Sequence, residues 1–300
     1  MISKLSRAKL RIKTEFRDFI LYFLLPLPAL ILPWSWCFRV YRRLCNTRLN
    51  FGIDPTAIEK NLKRLNYTGD IKAAIIEQKL IRFVDIVDGW LGFFYNTRLE
   101  SKLVKLEGKW SDEPDLLLGT HIGPGTLSLS SMCLHGLKPN LIIRPIPDEM
   151  RKIHTILWLY YKVRIAFHYK TLGDGTVFSG RGIKPVLTLM EEKKAIIMLT
   201  DVAAKTPEKS IQIEINERQM RVHSSIFNLV AEKKLRLCTF IITLDMETGK
   251  RIFRVGDTLT CDTTEELHSY VAGEFKQAME KHLPQWQLMP QLDAYLIKNN

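Results

Sequence analysis

The segment Phe19–Phe38, FILYFLLPLPALILPWSWCF, constrains this chain most, because twenty consecutive residues carry no charge. About 20 apolar residues is the length at which a helix crosses the hydrocarbon core of a bilayer. Basic residues flank both ends, and Trp34, Trp36 and Tyr41 gather near one of them, as interfacial aromatic rings do. Three prolines, Pro26, Pro28 and Pro33, each remove a backbone donor and bend the chain. The segment therefore reads as a membrane anchor that either spans or kinks and re-enters. A cleaved signal peptide fits poorly: no small-residue cleavage site follows, and the next stretch is rich in arginine. The competing reading is a buried core helix, although such helices seldom lack polar residues over this length.

Charge points the same way. The 300 residues hold 44 Lys and Arg against 32 Asp and Glu, a net +12. Composition alone would pair that surplus with nucleic acid or anionic lipid. Residues 1–60, however, carry eleven basic and four acidic residues, so +7 of the +12 surrounds the apolar run. The partner expected is then a membrane. Lys162–Lys170, with Tyr160 and Tyr161, matches no nucleic-acid motif and reads as a solvated or lipid-facing surface, so no nucleic acid is expected. Five cysteines without a C-x-x-C pair argue against a disulfide scaffold or a zinc site, and no H-E-x-x-H or acid cluster suggests a metal.

The organisation expected is a basic, hydrophobic anchor over 1–45 and an α/β domain over 46–300, whose first part, about 55–109, is helical. From Asp115 short apolar runs alternate with helical stretches. Strands are predicted at Leu116–Gly119, Leu141–Ile143, Ile196–Thr200 and Leu237–Thr243. Helices are predicted at Gly125–Leu134, Asp148–Val163, Ile183–Glu192, His223–Glu232 and Thr264–His282. This alternation predicts an α/β fold with a central mixed sheet flanked by helices. The uncharged runs IIMLT and LCTFIIT read as interior strands covered on both faces.

Chemistry concentrates in DLLLGTHIGPGTLSLSSM. A strand ends at Thr120-His121, followed by Gly-Pro-Gly and a helix-like stretch. His121 thus falls at the carboxyl end of a strand, where α/β folds hold ligands. The amides of Gly123, Gly125 and Thr126 sit near a helix start and suit a developing oxyanion. A neutral imidazole there takes a proton from an alcohol; the plainer alternative is a structural histidine. His168 and His223 are weaker candidates, His223 as the opening of a helix. No G-x-S-x-G elbow occurs, and the sequence around Cys133, on a helix-like stretch, makes no paired base evident.

The order of these elements resembles the lipid A late acyltransferases, the lauroyl/myristoyl transferase family. The likeness runs through the basic apolar N-terminus, His121-Ile122-Gly123, LIIRPIPDEM with Arg144, RGIKPVLTLMEEKKAIIMLTD, VHSSIFNLVAEKKLRLCTFIIT, and Pro284-Gln285-Trp286. In that family an acid stands five positions after the histidine; here the place holds Thr126, which hydrogen-bonds but supplies no negative charge. Asp201, at the end of a predicted parallel strand, is the first candidate to substitute for it in space. The alternatives are an easier donor or lost catalysis, and Asp201 also reads as a helix N-cap.

The resemblance implies an enzyme of the bacterial inner membrane, acting at the cytoplasmic face. It would move an acyl group from phosphopantetheine on an acyl or peptidyl carrier protein to a hydroxyl of lipid A, with no bound cofactor. One divergent branch transfers glycine, giving resistance to cationic antimicrobial peptides, and a site lacking the usual acid fits that branch. His121 would be the base, Gly123 and Gly125 the oxyanion donors, and Arg144, Arg164 and Arg181 contacts for phosphate. Each of these arginines also reads as solvated surface. The remaining readings are a non-catalytic, membrane-tethered binding protein on the same scaffold and a basic nucleic-acid-binding protein.

Overall fold

The computed structural model describes residues 4–95, 102–110, 114–173, 175–178, 184–204, 206–224 and 226–297. Nine strands occur among them: β1 (Val104–Glu107), β2 (Leu116–Gly119), β3 (Asn140–Ile143), β4 (Thr176–Phe178), β5 (Ile196–Leu199), β6 (Ser210–Ile215), β7 (Arg218–His223), β8 (Leu237–Leu244) and β9 (Arg251–Leu259). Seven form one sheet in the order β1-β9-β8-β2-β5-β3-β4, and β6 and β7 form a separate hairpin. Within the large sheet only the β8–β9 pairing is antiparallel. The sheet is therefore mixed, and the chain is an α/β fold as expected.

The uncharged runs supply the interior strands β5 and β8, each paired on both sides. Alternate residues feed opposite layers. Leu116 and Leu118 join Ile196 and Leu237 in one cluster, while Leu117 joins Ile197 and Cys238 in the other. The first layer is covered by α10 (Phe227–Glu232) and α11 (Thr264–His282), the second in part by α6 (Ser128–Leu134). Burial on both faces is what lets these strands omit polar residues.

Several predicted boundaries move. α6 begins at Ser128, not Gly125. One helix over Asp148–Val163 becomes two, α7 (Asp148–Ile153) and α8 (Thr155–Leu172), broken at His154, whose backbone is non-helical. α9 is Lys184–Glu191, and the predicted start at Ile183 lies outside the described residues. His223 closes β7, so it does not open a helix.

The apolar N-terminal run does not form one helix. α1 (Lys4–Phe19) passes into a wide turn at Ile20–Leu24. Then come α2 (Pro28–Ile31), an extended break at Pro33, and α3 (Trp34–Cys45). Among the described residues no helix is long and apolar enough to cross a membrane. The prolines account for the breaks: Pro28 opens α2, where its missing N–H costs nothing, and Pro33 cannot continue it.

These pieces pack on α5 (Ile71–Phe94), which follows α4 (Pro55–Arg64). Leu21, Tyr22, Phe38 and Tyr41 share a core with Phe83 and Val84 of α5, Tyr160 of α8 and Leu244 of β8. Residues on both sides of position 45 thus belong to one packed core. Each such aromatic ring withdrawn from water contributes roughly 1.5–3 kcal/mol. α8 approaches α5 closely because Gly89 and Gly92 have no Cβ; one added at Gly92 would lie 2.6 Å from the Phe167 ring. A wholly buried ion pair, Arg251–Asp88, ties β9 to α5, and the Arg251 guanidinium lies 4.1 Å from the centre of the Trp34 ring.

Candidate active site

Parallel pairing of β2 and β5 runs in register from Leu116↔Ile196 to Gly119↔Leu199. Two residues beyond each strand end, His121 and Asp201 therefore come side by side at the carboxyl edge. Nδ1 of His121 lies 2.8 Å from Oδ1 of Asp201. The other carboxylate oxygen accepts from the His121 backbone N–H at 2.8 Å and from Trp286 Nε1 at 2.9 Å. Tyr295 donates to the Asp201 carbonyl at 3.0 Å. Asp201 is fully buried, whereas the His121 side chain keeps 31% exposure. Residues 202–204 are not helical, so Asp201 is not an N-cap.

An ionised carboxylate only accepts, so Nδ1 carries the proton toward Asp201 and Nε2 is left with a lone pair. Burial disfavours the imidazolium. The charge and hydrogen bond of Asp201, helped by the charge of Asp85 and opposed by Arg164, outweigh it, and the His121 pKa rises above its ordinary value.

Thr126 is buried. Its N–H and hydroxyl both donate to Oδ1 of Asp85, at 3.1 and 2.8 Å. Arg164 Nη2 donates to the Thr126 hydroxyl at 2.8 Å, and its Nη1 lies 3.2 Å from Oδ2 of Asp85. Burial opposes the guanidinium charge, but the neighbouring Asp85 carboxylate more than compensates and raises its pKa. The place that lacks an acid in the sequence thus receives a carboxylate from α5. Asp85 escaped the sequence reading, yet a signal existed. Gln78, Asp85 and Asp88 recur on one face of a strongly apolar helix, and buried polar groups demand partners. Gln78 meets the carbonyl of Trp286 at 2.7 Å, Asp85 meets Thr126, and Asp88 meets Arg251.

Two proposed oxyanion amides are occupied. Gly123 N–H donates to the Gln285 carbonyl at 2.9 Å, and Thr126 N–H is held by Asp85. Gly123 is instead a conformational requirement: its φ is +65°, and an added Cβ would lie 2.2 Å from the Ile242 carbonyl oxygen. Gly125 N–H has no acceptor among the described residues.

The three arginines separate. Arg164 joins the site but is held by Asp85 and Thr126. Arg144 is exposed one residue past β3, at the same sheet edge and two strands from β2. Arg181 lies outside the described residues. His168 is buried in α8, and burial together with the Arg164 charge pushes its pKa down to about 4. His223 pairs with Ser210 in the hairpin, and its N–H donates to the Val202 carbonyl at 2.8 Å, one residue past Asp201. Cys133 faces the Thr171 carbonyl at 3.6 Å.

The C-terminal residues also build the site. Gln287 N–H donates to the His121 carbonyl at 2.9 Å and its side chain to the Gly123 carbonyl at 2.6 Å. Gln285 bonds both backbone groups of Leu244 and reaches Glu77 at 2.7 Å. The three residues Gln285, Trp286 and Gln287 therefore lock the His121 loop. No protein-family model matches the chain, and no curated protein matches it significantly in sequence.

Proposed function

We propose that the chain is an acyltransferase that moves an acyl group from a carrier-protein thioester to a hydroxyl of lipid A, at the cytoplasmic face of a bacterial inner membrane. The observation that carries this reading is the oriented His121–Asp201 pair, with a part-exposed imidazole at a sheet edge. In it Nε2 takes the hydroxyl proton as the oxygen attacks the thioester carbonyl. The tetrahedral intermediate collapses, the C–S bond breaks, and the imidazolium returns its proton to the departing pantetheine thiolate. No acyl-enzyme forms. Asp201 stabilises the imidazolium while it exists. Gly125 N–H is the amide left for the oxyanion, since those of Gly123 and Thr126 are taken. The acyl group is a fatty chain or a small aminoacyl group such as glycyl. The glycyl donor would link the reaction to resistance against cationic antimicrobial peptides. Arg144 is an exposed cation at this edge suited to a phosphate.

A second reading, a non-catalytic lipid- or carrier-protein-binding protein, draws support from those two occupied amides. Mass spectrometry of lipid A from cells with and without the gene separates the two. Catalysis predicts a mass gain, fatty acyl or glycyl in size, that disappears in His121→Ala at equal protein level. An unchanged lipid A spectrum under every growth condition that expresses the protein overturns the transferase.

A further inference from the structure

The N-terminal segment leaves an apolar face that nothing in the fold covers. On α1, Ile12 and Phe16 are 70% and 65% exposed. On α2 and α3, Ile31 is 85%, Trp36 58% and Val40 51% exposed. Their orientation is fixed from the other side. The Glu15 carboxylate accepts from the first two amides of α8, Thr155 at 2.8 Å and Ile156 at 2.9 Å, and so caps one helix with another. Asp18 is buried beside it, and Tyr22, Cys37, Phe38 and Tyr41 enter the core. The inner side of the segment is thereby committed, and only its outer side remains.

Charge names the occupant. Between Lys9 and Arg43 seven cations are exposed, while the two acids, Glu15 and Asp18, are engaged inward. On α1 the basic residues 9, 13 and 17 fall at fourfold spacing and run beside the apolar stripe of 12, 16 and 19. A second copy of this chain packed there across a two-fold axis would set cations against cations. An anionic lipid surface instead takes apolar side chains into its acyl boundary and cations at its headgroups.

We infer that this face is an in-plane membrane-docking surface. The proline-broken helices lie flat and insert their outer side into one leaflet of an anionic bilayer, without crossing it. The inference concerns how the chain meets lipid and is independent of the reaction, because no acyl donor enters its test.

The full chain is mixed with vesicles of phosphatidylglycerol and phosphatidylcholine, or of phosphatidylcholine alone, and sedimented. The expected result is binding to the anionic vesicles that weakens at least tenfold in Phe16→Glu and in Ile31→Glu. Circular dichroism and thermal melting of both variants should stay as in the wild type. Binding should also fall on raising salt and in the double variant Lys9→Gln/Lys13→Gln. Brominated lipid should quench fluorescence in the wild type more than in Trp36→Phe. Equal binding by both glutamate variants overturns the inference, as does the absence of quenching at Trp36. So does a stable dimer in solution that Ile31→Glu makes monomeric. Vesicle-bound chain that resists alkaline extraction would indicate spanning and would also overturn it.

Discussion

Asp201→Asn tests the dyad without knowledge of the substrate. The carboxylate makes three contacts. Oδ2 accepts from the His121 N–H and from Trp286 Nε1, and Oδ1 faces His121 Nδ1. An asparagine keeps the first two only if its oxygen occupies the Oδ2 place. Its NH₂ then points at Nδ1 and donates, which forces Nδ1 to accept and moves the ring proton to Nε2. The fold survives, at a stability cost of about 1–3 kcal/mol for the weakened buried acceptor. The base does not survive, because Nε2 now carries a hydrogen. Loss of the acid that sets a catalytic histidine's tautomer costs about 10⁴-fold in kcat, or roughly 5.4 kcal/mol of barrier.

The direct assay is nitrogen-15 NMR of labelled imidazole through a pH titration. In the wild type, Nε2 should be the unprotonated nitrogen at high pH and the apparent pKa should lie above the ordinary histidine value. In Asp201→Asn the protonated nitrogen should be Nε2 and the pKa should fall, since the charge and bond that raise it are gone. Activity by the neutral base rises as pH climbs through that pKa, so the ascending limb in the variant should move to lower pH beneath a much lower plateau. A variant that keeps the wild-type tautomer and pKa would refute the assignment of Asp201 as the orienting acid.

Asp85→Asn leaves Arg164 beside His121 with its charge no longer opposed, so the ascending limb should again shift to lower pH, measured as the pH dependence of transfer; an unmoved limb separates the Thr126 network from the base. Gly123→Ala should destabilise the fold by more than about 2 kcal/mol in denaturant unfolding, because both the left-handed backbone and the Ile242 carbonyl resist a Cβ. Arg251→Met should cost about 3–5 kcal/mol by stranding Asp88, and Asp88→Leu/Arg251→Met should recover much of that; a double variant no better than the single would show that the guanidinium acts chiefly through Trp34 and Gly249.

The interior of the sheet was legible because strands covered on both faces leave a plain record, short runs without charge. β2, β3, β5 and β8 occur within one residue of their expected limits. β1, β4, β9 and the β6–β7 hairpin were not read; β1 and β4 are short edge strands, and β9 and the hairpin alternate polar and apolar residues among charged ones. RIFRVGDTL and SIQIEINERQMRVH lack the uncharged signature, and the hairpin turn uses Asn216 and Glu217 at positive φ instead of glycine. The meeting of His121 and Asp201 could be anticipated, since each ends a strand of the same sheet. That Asp85 needs a buried partner was legible on its helix face, but its meeting with Thr126, like that of Trp286 with Asp201, was not, because local pattern says nothing about which helix or tail crosses a strand end. For the apolar run, length and prolines left a spanning and a kinked anchor both open; its contacts with α5 and α8, which local pattern does not record, decide its shape.

The lock formed by Gln285, Trp286 and Gln287 bears on how the protein is made. His121 emerges from the ribosome well over a hundred residues before Trp286, and Asp201 more than eighty. Until residue 286 is free, Asp201 lacks its indole donor and the His121 loop lacks the backbone that holds it. A nascent or prematurely stopped chain that held the whole sheet would keep the His121–Asp201 pair but lack the indole donor and the backbone that fixes the loop. The same residues belong to the main core, where Trp286, Met289 and Leu292 are wholly buried, so completion of the His121 loop and completion of the core fall at the same point of synthesis.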